Sequence, residues 1–193
     1  MTISRTAILS AGGLALLLVA TGFVAATTPS ANDWEQPFAV HAPIGEHAQG
    51  RNIAATVHGV TVADAVFDSR WQSTPGSTWV IVDATAAVVT NETAALIGRA
   101  ALIVGDRTYL ASTRPSGFAL NAVALSIGVP TRGSLVFELP GDILADPAAS
   151  VARLELAIAS DPRMDSMLVT TLDLTAAPVL DVAELVDAEW GMR

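Results

Sequence analysis

The chain has 193 residues, enough for one ordinary domain and an extension, which leaves little room for a two-domain enzyme. Hydrophobic residues make up 51% of it and charged residues 15%, a balance that excludes an intrinsically disordered protein. The net charge of −9, without a single lysine, argues against a nucleic-acid partner. The absence of cysteine excludes disulfides, thiolate metal sites, catalytic thiols and a lipid-acceptor cysteine.

The first predicted element is an apolar segment near the N-terminus. No charged residue lies between Arg5 and Asp33, and residues 7–26 form a nearly continuous apolar run. About 20 such residues cross the hydrocarbon core of a bilayer as a helix. Because a basic residue precedes the run and acidic residues follow it, the positive-inside tendency keeps residues 1–6 in the cytoplasm and exports the remainder. We predict a transmembrane helix over 7–27, with the membrane as its partner.

The fate of this segment is open at the level of sequence. Val24-Ala25-Ala26 and Pro29-Ser30-Ala31 offer the small residues that signal peptidases accept. Residues 7–27 are therefore either a retained signal-anchor, which gives a single-pass membrane protein with its C-terminal domain outside, or a cleaved signal peptide, which gives a secreted protein. A buried helix of a globular core is disfavoured because the run has no polar face.

Residues 28–50 lack both the helical and the strand period. Pro29, Pro37 and Pro43 interrupt this stretch among polar residues. Such a composition is typical of an extended linker. We predict an extracellular linker here, leading to a folded domain over 51–178.

From residue 51 onward, apolar and polar residues alternate in short runs, which is the period of strands with one buried and one solvated face. The longest run places five residues on its apolar face: Val80, Val82, Ala84, Ala86 and Val88. Later runs repeat the pattern with Leu135, Phe137 and Leu139, with Leu154, Leu156 and Ile158, and with Leu168, Leu172 and Leu174. Each run predicts an antiparallel strand.

Turn signals separate these runs. Gly105-Asp106 lies between two short segments of residues that favour strands, Leu102 to Val104 and Thr108 to Leu110, and predicts a hairpin. The alternation from Ile53 to Val62 shifts by one residue at Gly59, which predicts a β-bulge. A sheet with one apolar face must bury that face against another layer. We therefore predict a mainly β fold, an immunoglobulin-like antiparallel β-sandwich of about seven strands.

The C-terminal residues 179–193 change period. Four apolar residues there follow helical spacing: Val182, Leu185, Val186 and Trp190. Asp181 with Glu184 three residues later has the form of a capping box. These features predict a short C-terminal helix, either packed on the sandwich or offered to a protein partner.

Several features between Trp79 and Ser160 occur in a recognisable order. They are Val80-Ile81-Val82-Asp83 leading to Val89-Thr90-Asn91, Leu102, Gly105-Asp106 with Tyr109, and Gly128-Val129-Pro130 before Gly133-Ser134-Leu135-Val136-Phe137-Glu138-Leu139-Pro140. In this order they resemble an exported immunoglobulin-like domain family of unknown function in Gram-positive bacteria, which is telomeric-repeat-binding-factor-like by name only. The resemblance covers less than half of the chain and implies a surface-anchored or secreted β-sandwich without a known reaction. The alanine-rich stretch after Asn91 and the missing lipobox depart from the family pattern.

No set of residues has the spacing of a catalytic or cofactor site. The histidines are His41, His47 and His58, and the first two lie in the predicted linker at a spacing that matches no ligand motif. No Gly-x-Ser-x-Gly elbow occurs, and the absence of lysine excludes phosphate-loop and Schiff-base chemistry. We expect no catalytic residues, no bound cofactor and no metal site.

Three pairs of carboxylates are the remaining candidates for a cation site: Asp64 with Asp68, Asp142 with Asp146, and Asp161 with Asp165. None of these pairs matches a full calcium loop. Capping and solvated turn carboxylates are therefore the favoured interpretation.

The topology and the lack of a catalytic set indicate a non-catalytic binding or scaffolding module of the cell envelope. Its partners are then the membrane, through the N-terminal helix, and a protein of unknown identity. Two alternatives stay open. One is a sensory ectodomain for a small ligand or a divalent cation, and the other is an exported hydrolase that uses carboxylates.

Overall fold

The computed structural model describes residues 5–28, 35–69, 71–74, 76–90, 95–115 and 119–191. The chain divides into two compact units between Gln36 and Pro37. The described part of the first unit contains one helix, and the second unit is built mainly from strands.

The helix of the first unit, α1, spans Arg5–Thr27, so a helix forms over the predicted segment 7–27. Large apolar side chains in its second half are exposed, Leu16 and Phe23 among them. Within the described ranges, no helix is both long enough and apolar enough to cross a membrane. The spanning role predicted for 7–27 therefore has no support from the structure. The alternative cleavage signal Pro29-Ser30-Ala31 lies outside the described residues.

The described residues form twelve strands, where about seven were predicted. Their bounds are β1 Phe38–His41, β2 His47–Gln49, β3 Ile53–Asp68, β4 Trp71–Gln72, β5 Ser77–Val88, β6 Arg99–Val104, β7 Arg107–Leu110, β8 Thr131–Pro140, β9 Ala152–Ala157, β10 Ser166–Leu172, β11 Val179–Glu184 and β12 Glu189–Trp190.

These strands form two sheets, which confirms a mainly β sandwich. The five-stranded sheet has the order β1-β10-β9-β6-β7, and the seven-stranded sheet follows β11-β3-β5-β8-β12, with β2 and β4 also pairing with β3. Strand β1 runs parallel to β10, and β11 runs parallel to β3. The remaining pairs of named strands are antiparallel. The prediction of a purely antiparallel sandwich is therefore wrong at two edges.

The core lies where the apolar faces of the two sheets meet. The five residues of the longest predicted run, Val80 to Val88 in alternation, are each at most 1% exposed. They share one cluster with Leu135, Phe137 and Leu154 from the later runs. Burial of each valine, leucine or phenylalanine side chain contributes about 1.5–3 kcal/mol, so this cluster is the main source of stability.

Both predicted local irregularities are present. The pairing of β3 with β5 shifts register between Val57 and Gly59, so that His58 is the extra residue of a β-bulge. The chain turns between β6 and β7 at Gly105, whose φ of 61° is the backbone conformation that a two-residue hairpin turn requires.

The predicted linker 28–50 differs from the structure over its second half. Phe38 to His41 pair with β10 as β1, and His47 to Gln49 pair with β3 as β2. Strands of three or four residues are too short to show a clear period, and they form here because a longer strand supplies the hydrogen-bonding edge.

The predicted C-terminal helix is wrong. Residues 179–184 form β11 along β3, and residues 189–190 form β12 along β8. Ala183 and Leu185 are buried, whereas Val182 and Val186 are exposed. Burial thus follows a two-residue period, and the backbone bonds offered by the edge of β3 outweigh a weak helical pattern.

Between these two strands, the C-terminal segment 185–188 crosses the outer face of the seven-stranded sheet, because β3 and β8 lie on opposite sides of β5. Leu185 packs there with Trp79, Ile81 and Val136 in a second apolar cluster. Val186 and Asp187 line a cavity together with Asp83 and Ser134, a pair of outward residues on β5 and β8, so the segment runs over these strands. It covers one half of this outer face and leaves the other half open.

Candidate functional site

The open half of the outer face forms a groove of about 470 Å³. Its floor is made of short side chains from the two central strands: Ala54 and Thr56 on β3, and Thr85 and Ala87 on β5. His47 and Gln49 of β2 line one side, and Ile127, Gly128 and Pro130 line the other.

Strand register brings these residues together. His47 pairs with Thr56, and Thr56 pairs with Thr85, so the three side chains form one row across three strands. Successive residues of a strand point to opposite faces, and the intervening residues Ala55 and Ala86 are buried in the core cluster. The row therefore points outward.

Two histidines of this groove contact threonine hydroxyls. His58 Nε2 and Thr85 Oγ1 share a hydrogen bond of 2.7 Å, and Thr56 Oγ1 lies 3.4 Å from His47 Nδ1. Each hydroxyl engages one nitrogen of its imidazole ring. The second ring nitrogen of each histidine has no hydrogen bond to any residue that the structure describes.

An ion pair borders the groove. Arg132, which pairs with Thr85 across β5 and β8, donates from Nη2 to Asp83 Oδ2 at 2.6 Å and from Nε to Asp83 Oδ1 at 3.1 Å. The hydrogen bond with Asp83 raises the pKa of Arg132. Both residues line a second cavity of about 320 Å³, together with Val186, Asp187 and Glu189 of the C-terminal stretch. The arginine charge is thus already matched by a carboxylate.

The structure brings together two of the three histidines considered from the sequence. His47 and His58 line the groove, whereas His41 ends β1 in the other sheet. No group of three or more potential metal ligands occurs among the described residues. The sequence did not predict that His47 and His58 line the same groove, because His47 lies in a strand of three residues that has no recognisable period.

Most of the aspartates considered as a cation site accept hydrogen bonds from nearby residues in turns and caps. Asp68 Oδ1 accepts from the Trp71 amide at 2.7 Å, and Asp146 Oδ1 accepts from the Ala148 amide at 2.9 Å. Hydrogen bonds from the Arg163 side chain lower the pKa of Asp161. These contacts support the capping and turn interpretation.

Comparison with known proteins finds similar solved structures but does not assign the chain to a family. No protein-family model and no curated protein matches the chain. It is similar to an uncharacterized β-sandwich protein from Clostridium difficile 630, at 12% identity and a TM-score of 0.47, over 75% of this chain and 99% of that one. It is also similar to a candidate lipoprotein from Staphylococcus aureus subsp. aureus NCTC 8325, at 8% identity and a TM-score of 0.46, over 74% of this chain and 97% of that one. The family resemblance seen between Trp79 and Ser160 stays a prediction.

Proposed function

We propose that the chain is an exported, immunoglobulin-like binding module of the bacterial cell envelope, held at the outer face of the membrane by its N-terminal segment. The observation that carries this proposal is the combination of an apolar helix, which has no charged residue after Arg5, with a separate sandwich unit whose outer face keeps an open groove. The groove is then the site where the module binds.

Two threonines of α1 satisfy their hydroxyl groups within the helix, as an apolar environment would require. Thr21 Oγ1 donates to the Leu17 carbonyl at 2.8 Å, and Thr27 Oγ1 donates to the Phe23 carbonyl at 2.9 Å. Polar groups in hydrocarbon must find partners within the protein, and threonines in membrane helices do so by this contact. The lack of charge after Arg5 and the acidic residues beyond the helix favour export of the sandwich.

The groove supports binding rather than catalysis. Thr85 and His58 share a short hydrogen bond, which resembles the contact between a nucleophile and its base. A working set also needs a third group that orients the base. Among the residues that the structure describes, the His58 ring is hydrogen-bonded to Thr85 alone, so no third group orients it there.

Export is tested by fusing alkaline phosphatase, which is active only outside the cytoplasm, to the C-terminus of the full chain. We expect active reporter in the membrane fraction, and an intact mass that includes residues 1–27. Leu17→Arg places a charge in the apolar run and is expected to abolish the activity. Leu110→Arg, on the exposed strand β7, is the matched control and should leave it unchanged.

An inactive reporter in the unaltered chain would contradict the proposal. A mass that begins after Ala26 would keep the export but replace the anchor with a cleaved signal peptide.

A further inference from the structure

We propose that the groove binds a small molecule with a flat apolar body and a single anionic group, of which an aromatic carboxylate is the simplest example. This inference rests on the proposed function, because it names what the binding module takes up.

The shape of the groove fits a flat molecule of limited size. Alanine and threonine are the outward residues of β3 and β5 in this region, so the floor is low and even. Its volume of about 470 Å³ lies within the range of about 300–1,000 Å³ that is usual for small-molecule sites. The two floor strands pair continuously from Ile53 to Val57, and the floor is therefore formed before any ligand arrives.

The apolar part of the lining provides a place for the body of the ligand. Ala54 and Ala87 lie in the floor, and Val89, Ile127 and Pro130 continue this surface on the side away from β2. Polar groups collect on the other side, where His47, Thr56 and His58 lie. This separation favours an amphiphile over a uniformly polar ligand such as a sugar.

Charge selects the polar group of the ligand. The protein carries a net charge of −9, yet no aspartate or glutamate is among the residues that line the groove. A cationic ligand would find no unpaired counter-charge there, because Arg132 already binds the bordering carboxylate of Asp83. When each threonine hydroxyl donates to the ring nitrogen that it contacts, the second nitrogen of His47 and of His58 carries the hydrogen and can donate it to a carboxylate. Hydrogen bonds to an ionised acceptor are stronger than neutral ones. A second copy of this acidic chain is disfavoured as the occupant by repulsion.

The test uses the full chain in nanodiscs of zwitterionic lipid and three probes that share one ring system: 2-naphthoate, 2-naphthylmethanol and 2-naphthylmethylamine. Calorimetry measures affinity, and the methyl resonances of Ala54 and Ala87 report the place of binding. We expect 2-naphthoate to bind at least about 10-fold more tightly than the alcohol and to shift both methyl signals. The amine should not bind.

Two substitutions separate the contributions of shape and charge. Ala87→Leu raises the floor and should weaken all binding at least about 10-fold, whereas Ala122→Leu, at an exposed position outside the groove, should change nothing. Thr85→Val removes the hydroxyl that orients His58, and we expect about 5-fold weaker binding of 2-naphthoate with unchanged binding of the alcohol. Thr108→Val on β7 is its matched control. Each variant's unfolding midpoint shows that it is folded.

Equal affinity for the carboxylate and the alcohol, preference for the amine, or unshifted methyl signals would overturn the inference. Methyl shifts that grow with protein concentration in the absence of probe would assign the groove to a second copy and overturn it as well. The phosphatase reporter does not involve the groove. Failed binding with an active reporter therefore rejects this ligand class alone, and binding with an inactive reporter rejects only the exported location.

Discussion

Glu155 shows how a single residue departs from a strand pattern. The alternation of β9 places it on the solvated face, but it is only 5% exposed. Arg99 donates from Nη2 and Nε to Glu155 Oε2 at 2.6 and 3.0 Å, and Arg153 Nε donates to Oε1 at 3.1 Å. The aliphatic stems of arginines can cover a neighbouring carboxylate while their charged ends remain in water. The buried charge is thus matched from two sides.

The substitution Glu155→Gln is expected to lower the free energy of unfolding by about 1–3 kcal/mol, because it leaves two arginines beside an uncharged amide. Urea denaturation measures the change. Glu138→Gln is the matched control: its pair with Arg114 has side chains that are 33% and 58% exposed, and exposed pairs contribute at most about 1 kcal/mol. Similar losses in the two variants would show that burial does not strengthen the first pair.

At the scale of the element, the C-terminal stretch carries two periods at once. Val182, Leu185 and Val186 have helical spacing, while Ala183 and Leu185 are two residues apart and share a buried face. The Leu185 amide donates to the Phe67 carbonyl at 2.8 Å, which extends the pairing of β11 with β3 by one residue. An existing strand edge thus selects between two patterns that are both present in the sequence.

Substitution of two adjacent residues distinguishes strand from helix at this position. Leu185→Ala should lower the free energy of unfolding by about 2–5 kcal/mol, since the side chain is buried against Trp79 and Val136. Val186→Ala should change it by no more than about 0.5 kcal/mol, because Val186 is 70% exposed. Chemical denaturation gives both values. A helix packed by Val182, Leu185 and Val186 would lose comparable stability in the two variants.

At the scale of the sandwich unit, a polar contact joins the two sheets where the apolar core ends. The turn before β3 meets the start of β10: the Arg51 amide donates to Ser166 Oγ at 2.7 Å, and Asn52 Nδ2 donates to Asp165 Oδ2 at 2.6 Å. A Cβ atom on Gly50 would lie 2.5 Å from Ser166 Oγ, so only glycine allows this approach. The contact fixes one end of the seven-stranded sheet against the five-stranded sheet.

Loss of this contact should weaken the unit as a whole. Ser166 is 7% exposed, and Ser166→Ala leaves the Arg51 amide without its partner, so we expect a loss of about 1–2 kcal/mol in a single cooperative transition. Circular dichroism during urea unfolding measures it. In Ser150→Ala, the control, the lost hydroxyl donates to the Pro147 carbonyl at an exposed position, and a change below about 0.5 kcal/mol is expected. Equal effects would mean that the contact between the sheets contributes nothing of its own.

The sequence by itself determined the apolar helix over 7–27, the alternation of β5 and β8, the bulge beside Gly59 and the hairpin at Gly105. All of these depend on the direction of side chains along a single strand or helix, or on the backbone freedom of one residue, and both are local properties. Tertiary structure alone decided the parallel edge strands, the path of the C-terminal segment and the groove. His47 reaches Thr56, and Thr56 reaches Thr85, only through backbone hydrogen bonds between distant strands. A short strand pairs with the edge of a strand from a distant part of the chain, and the residue pattern of the short strand does not indicate which edge that is.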